Sequence, residues 1–135
     1  MRIENWTTRL DSVLADAEAR HFAWGKHDCC LFADAAHEAV TGTRLVPEAI
    51  EAYTDEKSAY RYLKKRFKTI EGMAAQLLGE PCVPAFAGRG DIAMVQSGER
   101  FAVGVIDLTG EHIAFVDAEG MARLPRSVGL KFWKI

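Results

Sequence analysis

Apolar residues recur at helical spacing near the start of the chain, where Ile3, Trp6, Leu10, Val13, Leu14 and Ala17 fall on one stripe and Arg9, Asp11, Asp16 and Glu18 fill the opposite one. This pattern predicts a first helix over about residues 4–20. A loop follows, His21-Phe22-Ala23-Trp24-Gly25-Lys26-His27-Asp28, and it ends in an aspartate suited to accept from the exposed N–H groups of a second helix. That helix runs from Cys29 to about Val40, where Thr41-Gly42 stops it. A third begins after Asp55 as N-cap and continues through Ala59, Tyr60, Leu63 and Phe67, with Lys64-Lys65-Arg66 near its C-terminus, where cations suit the helix dipole. A fourth spans Ile70 to Leu78, turns Met73, Ala74 and Leu77 inward, and stops at Gly79.

The pattern changes from Gly88 onward. Short β-rich runs cover Asp91–Val95, Arg100–Leu108, His112–Val116, Met121–Leu124 and Leu130–Ile135, separated by Ser97-Gly98, Thr109-Gly110 and Glu119-Gly120. A helical half followed by a meander of about five strands is an α+β arrangement with a C-terminal antiparallel sheet, not alternating βαβ. Apolar positions persist from Ile3 to Ile135 with no repeat and no linker, so residues 1–135 form a single domain.

Composition narrows the function. Seventeen basic against nineteen acidic residues give a net charge of −2, without the basic excess of a general nucleic-acid binder. No apolar run is long enough to span a membrane or serve as a leader, as the opening Met1-Arg2-Ile3-Glu4-Asn5-Trp6 already illustrates. The three cysteines are an odd number, and Cys29 and Cys30 are adjacent, so no disulfide framework is implied and a reducing compartment is the simpler setting.

The chemistry concentrates in Trp24-Gly25-Lys26-His27-Asp28-Cys29-Cys30. A thiol in the first turn of a helix sits beside unpaired N–H groups and the positive end of the dipole, both of which favour thiolate. Cys29 is therefore a candidate nucleophile, with Asp28 as the helix cap; the competing reading makes both cysteines small core residues. Zinc spacings such as Cys-x-x-Cys or His-x-x-x-His are absent, and neither a metal nor a cofactor is expected. Cys82 reads as a loop or edge thiol. Asp91 reads as an exposed strand start or a partner for the loop around Arg89. Trp6, Trp24 and Trp133 read as core anchors, and the Lys64-Lys65-Arg66 run as a solvated helix face.

The order Asp28-Cys29, then Arg89-Gly90-Asp91-Ile92-Ala93-Met94-Val95, then Phe101-Ala102-Val103-Gly104-Val105-Ile106 resembles the NlpC-type branch of the papain-like cysteine peptidases over residues 22–117. The resemblance implies a helix opened by Asp-Cys and packed on an antiparallel sheet, with a histidine on a His-Val-Gly-Ile strand as base. Here that position is Ala102. The whole chain also resembles a family of small phage and prophage proteins encoded among tail genes, through Phe-x-Trp-Gly-x-x-Asp-Cys, Thr-Gly, Arg-Gly-Asp-Ile-Ala, Val-Gly-Val and the final Trp133-Lys134-Ile135. That likeness implies a place in the virion tail, or in the bacterial cytoplasm during assembly, with other tail proteins as partners and Val46-Pro47 or Phe86 as contact sites.

Two functions follow. One is a tail-tip structural or assembly protein on a scaffold that has lost its base. The other is a thiol hydrolase acting on cell-wall peptide, with Cys29 as nucleophile, the helix-start N–H groups as oxyanion hole, and His112 as a replacement base reached across an adjacent strand. The simpler reading of His112 is a surface residue after Thr109-Gly110-Glu111, since nothing in the sequence fixes the strand register. Among the other histidines, His27 is expected in a solvent-exposed loop pointing away from the thiol. His37 lies about 12 Å along the helix from Cys29, out of reach, and His21 has no evident partner.

Overall fold

The computed structural model describes residues 1–135 and has the α+β architecture that the pattern predicts. Helices α1 (Trp6–Ala19), α2 (Cys29–Thr41), α3 (Glu56–Arg66) and α4 (Ile70–Leu78) precede strands β1 (Ile92–Ser97), β2 (Arg100–Ile106), β3 (His112–Asp117), β4 (Gly120–Pro125) and β5 (Lys131–Trp133). No helix is long and apolar enough to cross a membrane. Local signals set the helix ends. Asp28 caps α2 through the Leu31 N–H, and Gly42 ends it at φ 84°. Asp55 and Ser58 form a capping box on α3, and Thr69 caps α4 through the Gly72 N–H.

The five strands form one antiparallel sheet in the order β4-β3-β2-β1-β5. The first four are the expected meander. The last strand departs from it: β5 crosses to the other edge and pairs with β1 through Ile92↔Trp133, Ala93↔Phe132 and Met94↔Lys131. The crossing is driven by burial on both sides of the sheet. Trp133 joins the main core, where α1 and α2 pack with Ile92, Met94, Val103, Val105, Ala114 and Val116, while Phe132 enters a smaller core on the opposite face with Ala93, Val95, Ile106, Ile113 and Phe115. Two filled faces explain why β1 and the second half of β2 read as unbroken apolar runs.

Of the two readings of Asp91, the exposed strand start fails and the bond to the loop around Arg89 holds. Asp91 has no solvent exposure. Its Oδ1 accepts from the Arg2 guanidinium at 2.8 Å and the Ile135 N–H at 2.9 Å, and its Oδ2 from the Gly88 N–H at 2.8 Å and the Lys134 ammonium at 3.0 Å. One carboxylate thus ties residue 2, residues 134 and 135, and the loop before β1. Arg2 and Arg89 both face the Trp6 ring, at 4.2 and 5.5 Å from its centroid, and the Trp133 indole N–H donates to the Gly79 carbonyl at 3.0 Å. The Arg-Gly-Asp-Ile-Ala and Trp-Lys-Ile segments are therefore architectural.

Replacing Asp91 by Asn leaves Arg2 and Lys134 beside a neutral amide that cannot satisfy four donors. Urea unfolding is expected to show a loss of about 3 kcal/mol or more. Lys134→Ala, at an exposed position, is expected to cost less than about 1 kcal/mol.

Candidate functional site

The site is built by the turn that precedes α2. Ala23 and His27 exchange backbone hydrogen bonds at 3.0 and 2.7 Å, folding the chain tightly between them. Gly25 sits at φ 79°, and a β-carbon there would lie 2.0 Å from the Tyr53 carbonyl oxygen, so both the backbone conformation and the close approach require glycine. The Asp28 carboxylate gathers the turn. It accepts from the Gly25 N–H at 2.9 Å, the Leu31 N–H at 3.0 Å and the Tyr53 hydroxyl at 2.8 Å. It is buried with three donors, and it caps the helix as the sequence assigns.

Cys29 opens α2, and its Sγ lies 3.9 Å from that of Cys30, with both residues half-buried. The Cys29 thiol is held below its ordinary pKa, first by the S–H of Cys30 donating to it and then by the backbone N–H groups of Val103 and Cys30; burial and the nearby Asp28 charge oppose the effect. The Cys30 thiol is pushed well up by the same bond and by burial, so it keeps its proton. Its sulfur, 3.9 Å away, is placed to donate to a thiolate at Cys29.

Both thiols line a half-open cavity of about 140 Å³ whose walls are mostly apolar and aromatic, including Trp24, Tyr60, Leu63, Met73, Phe101 and Ala102. The sheet contributes an opening. Strands β2 and β3 pair only at Val105↔Ala114 and Ile106↔Ile113, and beyond that short ladder Ala102 and Asp117 reach the cavity from either side. Gly104 permits the tight packing at the junction, where a β-carbon would lie 2.1 Å from the Ala114 carbonyl oxygen. Helix α3 forms the outer wall with no fully buried residue of its own. It is joined to the start of β2 by the Arg100–Glu56 ion pair, and the Arg100 guanidinium lies 5.2 Å from the Tyr60 ring centroid.

None of the four histidines lines this cavity. His112 stands away from the cavity that holds Cys29. It starts β3, five residues and about 16 Å of strand from the Asp117 end that meets the cavity. Its Nδ1 lies 3.8 Å from Asp107 instead. His27 is not a solvent-exposed loop residue: it is 4% exposed, meets Phe32 edge-on, and has an Nε2 with no hydrogen-bond partner. Burial first, then the Arg20 charge, lowers its pKa. His37 bonds the Thr43 carbonyl at 2.7 Å, and His21 is exposed. Ala102 is buried in the cavity wall.

The remaining sequence candidates fall into place. The Cys82 N–H bonds the Phe132 carbonyl at 2.7 Å, making it an edge thiol beside β5. Phe86 is 70% exposed and Pro47 is also exposed, so both are available for contact, whereas Val46 is buried beside Leu31, Ala49 and Tyr53 and is not. Arg66, from the basic run, pairs with Glu48 at 3.2 Å. Sequence reasoning missed Tyr53, Glu56 and Arg100. Each acts through a partner distant in sequence, and none stands in a motif.

No curated protein and no solved structure matches the chain. A family model described as a domain of unknown function, DUF6950, matches residues 1–135, and the chain belongs to that family.

Two measurements probe the site. In thiol alkylation of the folded protein, Cys29 is expected to react at lower pH than the ordinary thiol midpoint of about 8.5 and ahead of Cys30. His27 is kept neutral by burial, so the unfolded chain binds its proton more readily below the ordinary value of 6.5. Stability is therefore expected to fall as pH drops from about 7.5 to about 5.5, and His27→Phe is expected to flatten that slope in urea unfolding.

Proposed function

We propose that this member of the DUF6950 family is a structural or assembly protein of a phage tail tip, built on an NlpC-type scaffold that no longer turns over amide substrates. The observation that carries the second half of the reading is the cavity around Cys29, which keeps the Asp28-capped thiol and contains no imidazole. Amide hydrolysis needs a group that takes a proton and then delivers it to the departing amine, which would otherwise leave as an impossibly basic anion. Alanine at position 102 cannot do this, and Cys30, which keeps its proton, cannot act as the base.

The first half rests on the likeness to tail-module proteins, which runs from the turn before α2 to Trp133-Lys134-Ile135. The architecture is compatible with a part that docks onto others. Its two chain ends are locked into the body at Asp91, and Phe86 projects from it for a partner to cover. The alternative, a hydrolase of cell-wall peptide, draws support from the lowered pKa of Cys29. It would require a base from a partner chain.

Deleting the gene from the parent prophage is expected to abolish infective particles and leave heads without functional tails under the electron microscope. The purified protein is expected to release no product from cell-wall peptides. Normal tails after deletion would overturn the assembly role, and peptide cleavage lost in Cys29→Ala would overturn the inactive scaffold.

A further inference from the structure

We propose that the Cys29–Cys30 pair is an acyl-capture site, at which the Cys29 sulfur takes an acyl group from a thioester and the apolar cavity receives the acyl chain. The inference starts from what a thiol can do without an imidazole. An amine needs a proton to leave, but the thiolate of a thioester is a good enough leaving group to depart unaided. A site with an activated sulfur and no acid is thus matched to substrates whose leaving group is itself a thiolate.

The geometry provides the other parts. The Cys29 sulfur faces the cavity with the Cys30 sulfur 3.9 Å away. The Cys29 N–H, at the first position of α2, has no acceptor within the helix, while the Cys30 N–H faces the Cys29 sulfur and Asp28 takes the Leu31 N–H. The Cys29 N–H is the donor available to a carbonyl oxygen that becomes negative as the sulfur adds. Trp24, Leu63, Met73 and Phe101 offer the acyl chain a largely apolar wall.

The step balances without an oxidant or a further reactant. The Cys29 thiolate adds to the carbonyl carbon, a new carbon–sulfur bond forms, and the thioester's own carbon–sulfur bond breaks. Its electron pair leaves with the departing thiolate, which takes a proton from solvent. No imidazole lies at the cavity to activate water, and its two carboxylates are engaged elsewhere, Asp117 with the Glu119 N–H and Asp28 with its three donors, so the S-acyl group on Cys29 stays. The result is capture without turnover, independent of any place in a tail.

The test uses the reduced full-length protein with the octanoyl and acetyl thioesters of N-acetylcysteamine, and with octanoyl p-nitroanilide. Intact mass and peptide mapping are expected to show one octanoyl group on Cys29, released by hydroxylamine and stable in buffer alone, with none from the anilide. The octanoyl thioester is expected to react about tenfold or more faster than the acetyl one, the gain from burying about two methylenes. In Cys30→Ala the rate at neutral pH is expected to fall and the pH midpoint to rise, with partial recovery in Cys30→Ser, while thermal melts report that the fold is kept. Acylation spread equally over Cys82, equal rates for the two chain lengths, continuous release of octanoate, or no adduct on wild-type protein would each overturn the proposal.

Discussion

A single buried carboxylate, Asp28, accepts three hydrogen bonds, and the site depends on them. The Gly25 N–H closes the turn, the Leu31 N–H starts the helix, and the Tyr53 hydroxyl brings in a segment 25 residues away. Each donor would carry a cost if left unmet in the interior, so the three bonds hold one another in place. The position of Cys29 follows from this arrangement. A thiol at the first position of a helix can only be placed as accurately as the helix start itself.

The same carboxylate makes the chemistry harder. Its charge disfavours a thiolate next door, as does burial, and both effects are overcome at Cys29 by the S–H of Cys30 and by backbone N–H groups. In a thiol–imidazole pair the stabilising partner is a cation that can give up its proton. Here it is a neutral hydrogen-bond donor. A neutral donor can steady the sulfur's charge but cannot shuttle a proton through a reaction cycle, which separates holding a nucleophile ready from turning over a substrate.

What was legible in the sequence was local. Asp28, Asp55, Gly42 and Gly79 mark helix ends because capping involves residues a few positions apart, and the turn glycines separate strands for the same reason. What was not legible depends on pairing across the chain. Nothing near Leu130–Ile135 announces that β5 joins β1, and nothing near His112 announces a register that carries it away from the cavity. A loop position does not fix exposure: the bonds between Ala23 and His27 fold that turn back on itself, and His27 is buried. The Arg100–Glu56 pair spans 44 residues. Asp28 and Cys29 were found because cap and thiol are neighbours; Tyr53, their third partner, was not.

The clasp at Asp91 also has a topological meaning. Arg2 donates to the Ile135 carbonyl at 3.2 Å, and both residues are held by the same carboxylate. The first and last of these residues therefore emerge side by side, so any flanking sequence or fused tag would leave from one point on the surface. A short linker could therefore join residue 135 to residue 1, with the chain opened instead at the exposed Thr109 in the turn between β2 and β3, which lies outside the lining of the thiol cavity.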